Sequence, residues 1–217
     1  MTRPDDSPDA PASTARPEAA LTARDRAKAV RRAALLSAAA RLFAERGFDG
    51  VTLEDIGAAA GVSGPAVYRH VSGKGALLGA ILVDVSERLL TGGRGVADAA
   101  TPGDVLAALV DFHVAFALAE ADVIRVQDRE LDRLSPDDRS RVRTLQNAYV
   151  DVWSDALRAD RPAVDPAVDT AAERRVRALA CFGLINSTPH SVRGLRGARA
   201  ARVHGILSAM ALAALRA

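Results

Sequence analysis

The stretch GVSGPAVYRHVSGKGALL, Gly61 to Leu78, holds one proline, two serines and four glycines, yet Val67 and Val71 recur inside it at helical spacing. The breakers mark the joints of a short helix. Ser63 can cap it, because a serine oxygen accepts a first-turn N–H. Pro65 then falls in the first turn, where a missing N–H costs no intrahelical bond. Val67 and Val71, at i and i+4, form its buried edge. Ser72-Gly73 ends it, and the run from Lys74 through Leu90 begins another helix.

Two helices precede it. From near Arg26, Leu35, Leu36, Ala39, Leu42 and Phe43 share one helical face, and Gly47 supplies a C-terminal stop. Thr52 caps the next helix with Asp55 as a short capping-box partner. Leu53, Ile56 and Ala60 continue its buried edge and Gly61 ends it. Three short helices with a Gly-containing turn between the second and third make a helix-turn-helix. The third presents Gly64, Pro65, Ala66, Tyr68, Arg69 and His70 outward. Small residues at its start would let it lie deep in a major groove. Tyr68, His70 and Lys74 are the expected phosphate contacts that fix its register.

Charge supports this reading. Residues 24–74 carry nine Lys/Arg against five Asp/Glu, residues 1–23 carry two against four, and the remainder is balanced. A positive segment inside an almost neutral chain is the footprint of a nucleic-acid contact. Of the whole sequence, 49% is hydrophobic and only 4% aromatic. Ala, Leu and Val must build the core, which favours helices. Residues 1–23, with Pro4, Pro8, Pro11 and Pro17, read as a disordered arm. The single cysteine, Cys181, excludes an internal disulfide and suits a reducing cytoplasm. No run approaches the roughly 20 apolar residues of a membrane span, and no signal peptide is read at the N-terminus.

The run Thr52-Leu53-Glu54-Asp55-Ile56-Gly57-Ala58-Ala59-Ala60-Gly61-Val62-Ser63, with Tyr68-Arg69-His70-Val71 and Lys74-Gly75-Ala76-Leu77-Leu78, resembles the DNA-binding signature of the TetR family of transcriptional regulators. Leu42-Phe43 and Gly47-Phe48 fit the same pattern. The resemblance implies an all-α fold of nine or ten helices. A helix-turn-helix domain (24–74) would precede a ligand-binding and dimerisation domain (75–217). It also implies that Thr52 touches phosphate and that Gly64, Pro65, Ala66 and Arg69 face the bases. Tyr68, His70 and Lys74 would then meet the backbone, with Ser63 at the start of the reading helix. Gly75 departs from the family by replacing a usual acidic residue, which weakens the start of the following helix.

The rest reads as helical, with TGGRG (Thr91–Gly95) as a flexible joint. Helices are expected over about 104–120, 123–134, 135–158, from Pro166 to Asn186, and over 198–215. His113, Phe116, Arg125, Arg129, Tyr149, Trp153, Phe182 and Asn186 lie on helices that line the effector pocket in this family. The segment VQDRELDRLSPDDRSRVRTLQNAYVDVW is similar to actinobacterial members that answer acyl-CoA thioesters. This similarity implies a partly apolar ligand whose anionic end meets Arg125 or Arg129. Val176, Leu179, Ile206 and Met210 are the expected seam of a four-helix dimer interface.

Catalysis has no constellation to rest on. His70, His113, His190 and His204 show no ligand spacing and none pairs with Cys181 in sequence, so no metal, cofactor or catalytic residue is expected. SGKGALL lacks the glycine spacing and preceding strand of a phosphate loop. The expected protein is a cytoplasmic homodimeric repressor of a palindromic double-stranded operator, released by a small-molecule effector such as an acyl-CoA. Two alternatives stay open: a regulator of efflux or secondary metabolism with a drug-like ligand, and an architectural DNA-binding protein without an effector.

Overall fold

The computed structural model describes residues 23–63, 67–68, 71–160, 169–187 and 197–217. Among these the chain forms eight α-helices, one 3-10 turn and no strand, so the class is all-α. The order is α1 (Ala23–Arg46), α2 (Leu53–Ala59), α3 (Lys74–Ala99), α4 (Val105–Ala119), α5 (Ala121–Glu130), the 3-10 turn Leu131–Arg133, α6 (Pro136–Asp160), α7 (Ala171–Asn186) and α8 (Ala198–Arg216). The arm expected over residues 1–23 falls, except for its last residue, outside the described residues.

Two cores organise these helices. The first gathers Leu35, Leu42 and Phe43 of α1, Ile56 of α2, Val67, and Leu77 to Val85 of α3, with Val123 and Val126 of α5 closing it. The second gathers Leu106 and Leu109 of α4, Trp153 and Leu157 of α6, Ile185 of α7, and Leu207 and Ala211 of α8. Each fully buried large side chain contributes roughly 1.5–3 kcal/mol of transfer free energy. The helix α3 serves both cores, through Leu77–Val85 in the first and Leu90 in the second. With 26 residues it spans about 39 Å at ~1.5 Å per residue. The first core therefore draws on residues well beyond Lys74.

The structure corrects three sequence expectations. Thr91–Gly95 is no joint, because α3 runs through it. A Cβ on Gly92 would strike the Phe112 ring, and one on Gly93 the Tyr149 ring. These glycines let two aromatic rings lie against the α3 backbone, and the ring contacts hold a helix that local propensity disfavours. The helix expected over 123–134 ends at Glu130 and tightens into the 3-10 turn. The helix expected from Pro166 starts only at Ala171. Thr170 is extended and closes a capping box with Glu173, so a continuous helix across it is excluded. Ser135 behaves as expected, accepting from Asp138 N at 3.1 Å at the head of α6.

Gly93→Ala should therefore destabilise the fold by about 1–3 kcal/mol through overpacking. Gly95→Ala, where nothing lies within 4 Å of the added Cβ, should stabilise it by up to about 1 kcal/mol. Urea unfolding of the two variants checks this. Two stabilising substitutions would restore the flexible joint.

Candidate functional site

The N-terminal helices set a reading head in place by local chemistry. Gly47, at φ 73, turns the chain after α1, where its N–H donates to Phe43 O at 2.9 Å. Thr52 N donates to Asp55 Oδ2 at 2.9 Å and Asp55 N donates to Thr52 Oγ1 at 3.0 Å, the capping box read from sequence. These bonds hold the Asp55 carboxyl below its usual range. Gly57 is buried, and a Cβ there would strike Val67 and the Val62 carbonyl, so glycine sets how closely Val67 approaches α2. Val67 N donates to Ser63 O at 3.2 Å and Val71 N to Val67 O at 3.1 Å, two bonds of i to i+4 spacing. Val67 is fully buried and Val71 packs on the core, as expected.

Of the residues expected at DNA, Thr52, Ser63 and Tyr68 are exposed and Lys74 is half-buried. Gly64, Pro65, Ala66, Arg69 and His70 lie outside the described residues. The Thr52 hydroxyl also donates to Asp55 Oδ2 at 2.8 Å, so its proton is committed to the cap. The Tyr68 hydroxyl donates to Glu54 Oε1 at 2.8 Å, a brace across the turn that the sequence reading missed. This bond holds the Glu54 carboxyl below its usual range and pushes the Tyr68 phenol up. Lys74 Nζ donates to Phe48 O at 2.9 Å and sits 4.8 Å from the centroid of the Phe48 ring, leaving two ammonium protons for other acceptors. The helix it opens has no side-chain cap and no acid in its first turn, in line with the Gly75 departure.

A second set of contacts ties this head to the following helices. Glu130, buried at the end of α5, accepts from Phe48 N at 3.2 Å and pairs with Arg133 Nε at 2.9 Å. Arg133 also donates to both carboxylate oxygens of Asp49, at 3.1 and 2.6 Å, and covers the Phe48 ring. Arg129 reaches the Ala44 carbonyl at 3.5 Å. The loop between α1 and α2 is thereby clamped by α5 and the 3-10 turn. Partners more than 80 residues apart leave no local signal in the sequence.

The residues expected to line an effector pocket divide into two groups. His113, Phe116, Tyr149, Trp153, Phe182 and Asn186 come together. His113 stacks on Phe182 at 4.6 Å and on Tyr149 at 5.7 Å, with Trp153 edge-on at 5.9 Å and Phe116 tilted at 6.3 Å. Its Nε2 lies 3.2 Å from Asn186 Oδ1 and its Nδ1 3.1 Å from the Tyr149 hydroxyl. An amide oxygen only accepts, so Nε2–H donates to Asn186 and the Tyr149 hydroxyl donates to Nδ1. Burial pushes the imidazole pKa down to about 4 and the Tyr149 phenol up. The Trp153 indole is fully buried and edge-on to the Tyr149 ring, and its N–H acts on the Tyr149 hydroxyl against the effect of burial. Arg125 pairs instead with Asp122 at 2.9 Å, and Arg129 turns toward α1.

Cys181 is buried and its pKa is pushed up to about 12, so it is a neutral thiol of the core at neutral pH. Among the described residues, no group of three His, Cys, Asp or Glu side chains could hold a metal, and no helix is long and apolar enough to cross a membrane.

Comparison with known proteins agrees with this geometry. The family model described as bacterial regulatory proteins, tetR family, matches residues 35–81, and that of the tetracyclin repressor-like C-terminal domain matches 99–190. Together they cover more than half of the chain. The chain belongs to the TetR family of bacterial regulatory proteins. It is thus a transcriptional regulator with a helix-turn-helix DNA-binding domain. No curated protein matches its sequence. A TetR-family regulator from Bordetella parapertussis aligns at 22% identity over 83% of this chain and 93% of that one, with a TM-score of 0.72. The ketosteroid regulator KstR2 of Mycobacterium tuberculosis aligns at 22% identity over 84% and 93%, with a TM-score of 0.70. The regulator AibR, solved with isovaleryl coenzyme A and operator DNA, aligns at 22% identity over 83% and 97%, with a TM-score of 0.66. At these identities the likeness is one of fold.

The neutral His113 gives this TetR-family regulator a defined pH dependence. Its folded pKa lies below its ordinary value of 6.5, so between 4 and 6.5 the unfolded chain binds more protons. The stability from the neutral ring should be complete above pH 6.5 and fall by up to about 3 kcal/mol as pH drops toward 4. Urea titrations across that window should give a flatter pH slope for His113→Leu. An unchanged slope would refute the assignment.

Proposed function

We propose that this chain is a ligand-responsive repressor that binds a palindromic double-stranded operator as a homodimer in the cytoplasm and is released by an amphipathic acyl-CoA effector. In this reading residues 24–74 are the DNA-binding domain and 75–217 the ligand-binding and dimerisation domain. The observation that carries the reading is the union of a clamped reading head with a polar, aromatic cluster buried in the second core. A regulator needs two sites and a shared element that both bias, and α3 belongs to both cores.

Operator contact is assigned to Thr52, Ser63, Gly64, Pro65, Ala66, Tyr68, Arg69, His70 and Lys74. Effector contact is assigned to His113, Phe116, Tyr149, Trp153, Phe182 and Asn186. Arg125 and Arg129, on α5, are the sequence-derived candidates for its anionic end. The solved complex of AibR with isovaleryl coenzyme A and operator DNA supports the acyl-CoA class. The regulator carries out no catalysis in this reading.

The dimer is assigned to α7 and α8. Val176, Leu179, Ile206 and Met210 are 65%, 54%, 50% and 51% exposed, an outward apolar set on two neighbouring helices. Such a set is what an association surface presents. Ile206→Asp should give a monomer in sedimentation and weaken operator binding by more than about 100-fold, because linked half-sites gain that much from avidity. A dimer with full operator affinity would refute the assignment. The function as a whole is tested by selecting the operator from random DNA and then titrating the complex with acyl-CoAs of increasing chain length. Release should strengthen with chain length, by up to about 0.8 kcal/mol per buried methylene. A flat response would leave the regulator with a drug-like effector or none.

A further inference from the structure

A cleft of ≈ 660 Å³ opens between α1 and the corner formed by α3, the end of α4 and the start of α5. This lies within the roughly 300–1,000 Å³ typical of small-molecule sites. On the α1 side, Ala29, Ala33, Leu36 and Ala40 fall at helical spacing as a low apolar floor, with Arg32 and Arg41 on its rim. Ile81 of α3 and Val123 of α5 continue the floor opposite, and Arg88 stands on the far wall.

Each carboxylate of the cleft has an arginine partner, although Asp84 and Glu120 share one. Asp84 and Glu120 both pair with Arg88, at 3.0 and 2.7 Å, and Asp122 pairs with Arg125 at 2.9 Å. The two α1 arginines are not matched in this way. Arg41 meets Glu45 only at 4.0 Å, with both side chains about half exposed, and Arg32 makes no ion pair among the described residues. The cleft's arginines without a close carboxylate therefore both lie on α1.

Behind the cleft is the ring cluster. The Arg88 guanidinium lies 5.9 Å from the Phe116 ring centroid, and that ring lies 6.3 Å from His113. Phe116 thus separates a basic opening from the buried polar core. Arg32 also borders a small hollow that it shares with Val71 and Ser72, just before α3.

We propose that this cleft holds the phosphate-bearing end of the acyl-CoA effector, with Arg32 and Arg41 as its charge contacts and Phe116 as the partition past which the acyl end reaches the ring cluster. The basic opening is then built partly by the DNA-binding half, and not by Arg125 or Arg129. A ligand in it bridges α1 to α3 and α5, so occupancy changes the setting of the reading head directly. The difference in contacts between bridged and unbridged states is the coupling. This inference rests on the acyl-CoA reading of the effector.

The test is calorimetric titration of the full-length protein without DNA. The probes are isovaleryl-, octanoyl- and lauroyl-CoA, each beside its S-acyl pantetheine, which lacks the phosphates. The variants are Arg32→Ala with Arg41→Ala, and Arg143→Ala, an exposed arginine of α6 outside the cleft. Alanine is the best helix former, and circular dichroism checks that α1 persists. The double variant should bind the CoA esters at least about tenfold more weakly, the loss expected from one charge-assisted contact. It should bind the pantetheine esters as the wild type does, and Arg143→Ala should bind both normally. Wild-type affinity of the double variant for the CoA esters would overturn the cleft assignment and leave the acyl-CoA reading standing. A wild-type protein that binds none of the CoA esters would overturn that reading and this inference with it.

Discussion

The whole molecule hangs on α3 remaining one helix from Lys74 to Ala99. Its first three turns seal the core beneath the reading helix, and its later turns form a wall of the second core. A break at Thr91–Gly95 would leave the two cores joined by soft chain. What prevents the break is Tyr149, whose ring lies where a Gly93 side chain would be, and Phe112, which does the same at Gly92. Glycine weakens a helix by about 1 kcal/mol relative to alanine. Burial of two aromatic rings outweighs that cost, since each removes far more apolar area from water than the backbone loses in freedom.

The contacts between the halves are graded by burial. Arg133 and Asp49 make good bidentate geometry, but their side chains are 46% and 74% exposed, and solvent screening reduces such pairs to roughly 0–1 kcal/mol. Glu130 is buried, and its bonds to Phe48 N–H and Arg133 are charge-assisted, which makes them worth roughly 1.5–3 kcal/mol each. The orientation of the loop before α2 is thus fixed chiefly by one carboxylate.

The second core contains a polar group that an apolar residue could have replaced. His113 is satisfied on both ring nitrogens, and its stacked neighbours fill the space around it. At neutral pH the buried imidazole adds little net stability, because the same bonds are available in water; the loss at low pH is the cost of charging it in place. Its effect is to fix the relative register of α4, α6 and α7, since a slip of any one helix would orphan a buried nitrogen, hydroxyl or amide.

Local chemistry was legible from the residues alone. The Thr52–Asp55 box, the Gly47 stop, the Ser135 cap and the core-facing pair Val67 and Val71 all follow from interactions within a few residues of one another. The helical class follows from composition. The family resemblance put His113, Phe116, Tyr149, Trp153, Phe182 and Asn186 on pocket-lining helices, and in the structure these side chains meet one another. The sequence misplaced the joint at Thr91–Gly95, because glycine has the same local signature whether it frees a backbone or admits a ring. It could not show the Glu130 clamp, the Tyr68–Glu54 brace or the cleft beside Arg32 and Arg41. Each depends on groups from different helices meeting, which is a property of packing angles. Nearest-neighbour periodicity fixes which face of a helix is apolar, but only the sum of all the faces decides which helix covers it.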